Sequence, residues 1–346
     1  MKNRTFVVAI DPNMDNFSVL GLRHTLKNGN DVVVHNDPAM NMQGAETVFN
    51  FDVYISGKRG FDPILVSAPR HRLIVVPRHT KSVQAALLQK AVADFDGTPQ
   101  HGFRHVPTWI NGWGGRNYPC STDRMVVKPG DGARGIGQFT VSTQNVNMDY
   151  FLKQLNKLVE GEHTQEKLDE FLSQFNGNVK YHTGSENFPL EGLGALKEDE
   201  IVVQEVIENI VKEYRVITDK NSRPAYWQER RRPVGQNFPQ ATGGGAIIDH
   251  NALIMLVDIP SCINVALLEH LCRNVIGPLS SIDLFVTGDG SWGIFEYCNQ
   301  FGISGVPQDV AFNLHAEFMQ DIVDIYIEGE ERRKLVADEA GMSSDA

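Results

Sequence analysis

Short apolar runs bounded by charged or turn-forming residues fill the first eighty positions. Thr5 to Ile10, Asp31 to His35, the run beginning at Asp52, Pro63 to Ala68 and Arg72 to Val76 each have strand length and β-branched content. Between the first two, Phe17 to Lys27 carries apolar residues at helical spacing and stops at Asn28-Gly29, a helix C-terminal signal. Strands interleaved with a helix predict a small parallel α/β unit over residues 1–78.

Farther on, the pattern changes. Thr80 to Phe95 predicts an amphipathic helix, and the Gly-, Pro- and aromatic-rich stretch 105–119 reads as a boundary. Strands are expected at 124–129, 137–142, 200–207, 213–218, 223–230 and 245–249. Helices are expected over Met148 to Val159, Gln165 to Phe175, Asn264 to Val275 and Asp309 to Glu328, with 177–198 as a loop or lid. The expected organisation is an N-terminal α/β domain (1–78), a central α+β subdomain (79–206), a C-terminal α+β subdomain (207–330) and a disordered polar tail (331–346).

Composition narrows the function classes. The 346 residues are 41% hydrophobic and 22% charged, a globular mix. A net charge of −11 opposes broad binding to nucleic acid or anionic membrane, while leaving room for a small anion in a local basic pocket. Cys120, Cys262, Cys272 and Cys298 show no CxxC and no zinc spacing, which suits a reducing compartment. No run approaches the length of a membrane helix, and Thr5 to Ile10 is too short for a signal-peptide core. The expectation is a cytoplasmic protein; assembly into a homo-oligomer is left open.

Asp283 to Asn299 (DLFVTGDGSWGIFEYCN) carries the strongest chemistry. It reads as two strands joined by a turn at 288–291, so that Thr287 pairs with Trp292 and Asp283 with Glu296. Directly opposed side chains lie about 5 Å apart, and two carboxylates so close repel unless a cation sits between them. Oxygen ligands favour Mg²⁺ or Mn²⁺ over zinc. The competing arrangement is an ordinary hairpin with one acid in solvent.

A second motif, Gly130-Asp-Gly132-Ala-Arg134-Gly135-Ile-Gly137, matches GxGxxG but is followed by β-formers rather than a helix, which rejects the dinucleotide-binding reading. There is no GxxxxGK[ST]. A glycine loop between two strands fits a flap closing over a triphosphate, with Lys128 on the incoming strand. A plain Gly-rich turn is the simpler alternative.

Lys128 before a glycine flap, Val202-Val203-Gln204-Glu205-Val206, Glu213-Tyr-Arg215 and the acidic hairpin occur in an order that resembles the ATP-grasp superfamily. The closest likeness is to the glutathione-synthetase and ribosomal-protein-glutamate-ligase branch of carboxylate–amine ligases, over roughly residues 79–308. The resemblance implies an ATP-grasp fold, two α+β subdomains sandwiching ATP, and an ATP-dependent ligase that forms an amide through an acyl phosphate. It implies Lys128 and Lys81 on the phosphates, the flap glycines and Arg134 over them, and Gln204, Glu205 and Val206 beside adenine. Glu213 would bind ribose hydroxyls and Arg215 would stabilise the transferring phosphoryl group. Arg230 and Asn237 would contact substrate or nucleotide, and Asp283, Glu296 and Asn299 would hold Mg²⁺ or Mn²⁺. Small-molecule or peptide acids and amines are the implied substrates.

Three departures stand out. Thr80 replaces the aspartate expected before Lys81. Glu296-Tyr-Cys-Asn299 is one residue longer than Glu-x-Asn, so strict alternation puts Cys298, not Asn299, on Glu296's face unless a bulge intervenes. Two helical patterns occupy 143–200, where fewer are usual. The rival functions are a small-molecule kinase with the same nucleotide site and a non-catalytic nucleotide-binding protein.

Overall fold

The computed structural model describes residues 5–9, 23–25, 27, 29, 31–35, 47–50, 73–75, 79–95, 102–110, 123–130, 137–182, 190–198, 200–230, 259–278, 280–298 and 308–339. The N-terminal unit is a five-stranded sheet of order β2-β3-β1-β4-β5, with β1 Thr5–Ala9, β2 Arg23–Thr25, β3 Asp31–His35, β4 Thr47–Asn50 and β5 Leu73–Val75. β1 runs parallel to β3 and β4, and β4 parallel to β5, as the alternating pattern predicts. β2 corrects the reading of 17–27 as a helix: Arg23 to Thr25 pair antiparallel with β3. Gly29, at φ +79°, lies in the connection, so this glycine serves a hairpin rather than a helix end. The runs from Asp52 and from Pro63 to Ala68 fall outside the described residues.

The central sheet has the order β6-β10-β7-β8-β9, built from β6 Thr108–Ile110, β7 Arg124–Pro129, β8 Gln138–Ser142, β9 Val179–His182 and β10 Ile201–Glu205. Strand alternation divides its faces. Met125, Val127, Phe139, Val141, Val179 and Val203 turn into a core shared with α2 Met148–Glu160, α3 Gln165–Ser173 and α4 Glu191–Glu198. Phe139, Phe151, Phe171 and Phe175 meet there edge-on or tilted at centroid distances of 5.2–5.8 Å. Asn147 and Thr164 cap α2 and α3 by accepting the N–H groups of Tyr150 and Lys167. The material between 143 and 200 is therefore the packing partner of the sheet. The loop or lid expected at 177–198 contains β9 and α4.

The C-terminal sheet, β12-β11-β13-β14, is antiparallel throughout: β11 Ile210–Thr218, β12 Pro224–Arg230, β13 Ser281–Thr287 and β14 Trp292–Cys298. Tyr214, Val216, Trp227, Ile282, Leu284 and Ile294 point into a second core. α5 Val265–Leu271, with the π-helical turn Cys272–Ile276 that prolongs it, covers them. So does α1 Lys81–Ala93, through Leu88 and Ala91. Grouped with the central subdomain by sequence order, α1 is thus part of the C-terminal core.

The last helix, α6, runs Gln308–Glu339, eleven residues past the predicted end at Glu328 and through most of the stretch expected to be a disordered tail. The Glu-, Arg-, Lys- and Leu-rich run after Gly329 favours helix, and the small polar residues begin only at 340. Lys220 ties β11's end to this helix through Asp324 and Glu328, each at 3.5 Å. Gln320 of the same helix accepts the Lys27 N–H at 2.9 Å. No helix among the described residues is long and apolar enough to cross a membrane.

Candidate nucleotide and metal site

The acidic hairpin forms with Asp283 opposite Glu296, although the turn differs from the expected one. Val286, not Thr287, pairs with Trp292. The loop closes through Thr287 N–H to Ser291 O at 2.8 Å, with Asp289 accepting from Thr287 Oγ and Ser291 N. Those two bonds hold the Asp289 carboxyl down to about 2. The tip is thus displaced by one residue, and a bulge at Phe295 restores the count, because Leu284 pairs with Ile294 while Asp283 pairs with Glu296. Beyond the bulge, Tyr297 and Cys298 pair regularly with Ile282 and Ser281. Asn299 lies outside the described residues, as do Gly132, Arg134, Gly135 and Asn237.

A row of side chains crosses the non-core face. Gln228 is opposite Arg215, Arg215 opposite Asp283, and Asp283 opposite Glu296. Arg215 grips Asp283 with both arms, Nε to Oδ1 at 2.8 Å and Nη2 to Oδ2 at 2.9 Å, the strong fork geometry of guanidinium and carboxylate. One step along, Glu213 faces Arg230 and Phe285 in the ladder and is buried. A Cβ on Gly293 would fall 2.2 Å from the Arg104 carbonyl oxygen and 2.5 Å from the Phe285 ring, which accounts for a glycine in the middle of β14.

Lys81, the first residue of α1, completes the row. Its Nζ lies 3.4 Å from Glu296 Oε2, and its side chain is 6% exposed. α1 is fixed against β14 by Gln84, which accepts the Tyr297 N–H at 3.0 Å and donates to the His79 carbonyl at 2.7 Å. The Tyr297 hydroxyl meets His79 Nδ1 at 3.0 Å. Neither Gln84 nor Tyr297 was singled out from sequence. The available signal was a polar pair, Lys81 and Gln84, heading the buried stripe that continues through Leu88 and Ala91.

The central sheet contributes Lys128, opposite Val202 and on the face away from the aromatic core. Burial and the charge of Lys81 draw its ammonium down to about 8, against the upward pull of Glu296. Those interactions put Lys128 in the same electrostatic neighbourhood as Lys81 and Glu296. The flap's root is pinned at this point: Lys81 N–H donates to Gly130 O at 3.0 Å, and Gly130 N–H donates to Glu200 O at 2.8 Å. The Glu200 carboxylate accepts the Ser82 hydroxyl. On the flap's other side, Gly137 has φ +72°, and a Cβ on it would come within 2.5 Å of Gly192 O. Both anchors of the loop are rigid.

Farther along the central sheet, Gln204 Nε2 donates to Thr108 Oγ1 at 2.9 Å. Glu205 N–H donates to Pro107 O and Val206 N–H to Arg124 O, so both backbone donors are already engaged. Val202 and Val206 are buried. The structure therefore gathers Lys81, Lys128, Arg215, Asp283 and Glu296, with Gly130 at their edge. Gln204, Glu205 and Val206 sit at the end of the strand beside Lys128, and Arg230's backbone closes the ladder opposite Glu213.

Two carboxylates face each other and the oxygen donors are hard, which fits a divalent ion such as Mg²⁺. Among the described residues no cluster of three His, Cys, Asp or Glu side chains is found.

No protein-family model matches the chain, and no curated protein does. Solved structures similar over nearly the whole length do exist. They include the D-cycloserine synthetase DcsG (14% identity, 92% of this chain and 99% of that one, TM-score 0.48). A second is the D-alanine–D-alanine ligase of Bacillus anthracis in complex with ATP (12% identity, 96% and 100%, TM-score 0.49). A third is the ATP-grasp ligase PsnB with its minimal precursor (13% identity, 91% and 100%, TM-score 0.45). Likenesses this distant assign no substrate, and function has to be read from the site's own residues.

Proposed function

We propose that the chain is an ATP-dependent carboxylate–amine ligase working through an acyl phosphate. The observation that carries this reading is the convergence of Lys81, Lys128 and Arg215 on the opposed carboxylates Asp283 and Glu296, from two sheets and the start of a helix. Such a cluster suits a triphosphate with its metal, since phosphoryl transfer needs positioning and charge stabilisation more than covalent chemistry from the protein.

In this reading Lys81 and Lys128 hold phosphate oxygens. Glu205 O accepts from the adenine amino group beside buried Val202 and Val206, with Gln204 fixing that strand against Thr108. Glu213 binds ribose hydroxyls. The flap from Gly130 to Gly137, with Arg134, excludes water. A divalent cation held by Asp283, Glu296 and Asn299 would supply positive charge to the phosphates. Arg215 stabilises charge on the transferring group as a substrate carboxylate oxygen attacks the γ-phosphorus and the bond to ADP breaks. Arg230 and Asn237 orient the acyl substrate. An amine then attacks the acyl carbon, inorganic phosphate leaves with the bonding pair, and the amine's proton goes to solvent. No protein nucleophile is required.

The test is incubation with ATP, Mg²⁺ and pools of small acids, peptides and amines, following ADP and amide by mass spectrometry. Amide with stoichiometric ADP is expected. ADP with a phosphorylated acceptor and no amide would make the protein a small-molecule kinase, and nucleotide binding without turnover would make it non-catalytic.

A further inference from the structure

Each of the two carboxylates that face each other for a metal is already held by a cation. Arg215 forks onto Asp283 at 2.8 and 2.9 Å, and Lys81 lies 3.4 Å from Glu296. Neither cation is a chance surface contact. Arg215 and Asp283 are 15% and 21% exposed, and Lys81 is buried on a helix locked to β14 by Gln84. The Arg215–Asp283 pair, so little exposed, is stronger than a surface pair, while the Lys81–Glu296 pair joins a buried ammonium to a carboxylate 36% exposed.

We propose that the metal site is closed to free metal and opens only to metal that arrives on a triphosphate, by an exchange of partners in which Arg215 and Lys81 pass from the carboxylates to phosphate oxygens. This rests on the nucleotide reading above. A bare divalent ion must displace or crowd both cations. A metal–triphosphate complex offers oxygens to Arg215 and Lys81 as it takes Asp283 and Glu296, so no charge is left unpaired during the exchange. The bidentate fork suits this role because phosphate matches guanidinium geometry as well as carboxylate does. The exchange also orders the site: until nucleotide binds, Arg215 points at Asp283 and is withheld from the phosphoryl position, so the catalytic arrangement forms only in the loaded protein.

The experiment uses Mn²⁺ as probe, read by electron paramagnetic resonance and calorimetry on the full chain. Wild type is expected to show no saturable Mn²⁺ site without nucleotide, and a saturable one with a non-hydrolysable ATP analogue. Arg215→Met/Lys81→Met is expected to bind Mn²⁺ alone at least about tenfold more tightly than wild type. Arg215→Lys/Lys81→Arg keeps both charges and is expected to behave as wild type toward Mn²⁺ alone, which separates charge from misfolding; circular dichroism checks the fold of each. Equal Mn²⁺ affinity in wild type and the double Met variant would overturn the exchange. Absence of analogue binding in wild type would instead overturn the nucleotide reading, while the comparison of Mn²⁺ alone still decides whether the cations guard the carboxylates.

Discussion

The central and C-terminal sheets are both antiparallel in their interior and both bury one face under helices, yet their other faces are built differently. Around Lys128 the central sheet's free face carries Val126 and Val202, with Thr108 and Gln204 hydrogen-bonded to each other, and toward the β8–β9 edge it carries Thr140, Lys180 and His182. The C-terminal sheet's face carries a row of full charges, Arg215, Asp283 and Glu296, opposite one another across three strands, with Lys81 joining from α1. The valine patch beside Lys128 suits a base; a charged row suits phosphate and metal. Under the nucleotide reading proposed above, the nucleotide's two chemical halves would be divided between two sheets, with Lys128 and Gly130 at the seam.

The carboxylate row offers the largest way to break this division. Asp283→Asn/Glu296→Gln is expected to abolish metal-dependent nucleotide binding in calorimetry and to lower turnover by about three orders of magnitude or more. Unchanged metal dependence would remove the charged face from the chemistry. Arg215→Met is expected to cut turnover roughly 10²–10³-fold, with a much smaller change in nucleotide affinity, since its main contact arises at the transferring group. Equal losses in affinity and rate would make it a binding residue instead.

Gly137→Ala tests the seam. It imposes φ +72° on a residue with a Cβ and sets that Cβ 2.5 Å from Gly192 O. A loss of about 1–3 kcal/mol in denaturant unfolding is expected, and an unchanged midpoint would mean that the flap's root is not rigid.

The smallest effect belongs to Lys128. With its ammonium drawn down to about 8, nucleotide affinity is expected to fall by roughly tenfold as pH rises from 7 to 9, and Lys128→Met is expected to flatten that profile. Stability runs the opposite way. The unfolded chain keeps its lysine proton up to the ordinary value near 10.5, while the folded protein releases it near 8. Between those values the unfolded state binds more protons, and the unliganded protein gains stability as pH rises. A pH-independent affinity in wild type would take Lys128 out of the phosphate contacts.

The opposed carboxylates were legible in the sequence because period-two alternation needs only the turn's position. Even so, the turn was one residue off, and the pairing of Asp283 with Glu296 holds because the bulge at Phe295 cancels the displacement. Local pattern had no access to that compensation, which depends on loop hydrogen bonds made by Asp289. The Phe17 to Lys27 reading failed at Arg23 to Thr25 for a related reason: Asn-Gly ends a helix and turns a hairpin equally well, and the pairing with β3 decides between them. α1 was found as a helix but given to the wrong neighbour. Its stripe shows that one face is buried and says nothing of which sheet buries it. Glu200's hold on Ser82 and Gly130 was invisible because it joins positions more than a hundred residues apart in one case and seventy in the other.

That misassigned helix has a consequence for how the chain folds. The aromatic core draws its buried residues from one continuous stretch, Met125 to Val203, whereas the second core joins Leu88 and Ala91 to residues from Tyr214 to Tyr297. On a ribosome the first could collapse as soon as its own segment had emerged, while α1 would wait, apolar stripe uncovered, until the acidic hairpin arrived. Pulse-labelled hydrogen exchange during refolding is expected to show protection at β7, β8 and α2 before α1. Lys81 and Glu296 would then be among the last groups to meet, so that a chain interrupted before β14 has a packed core but no carboxylate opposite Asp283.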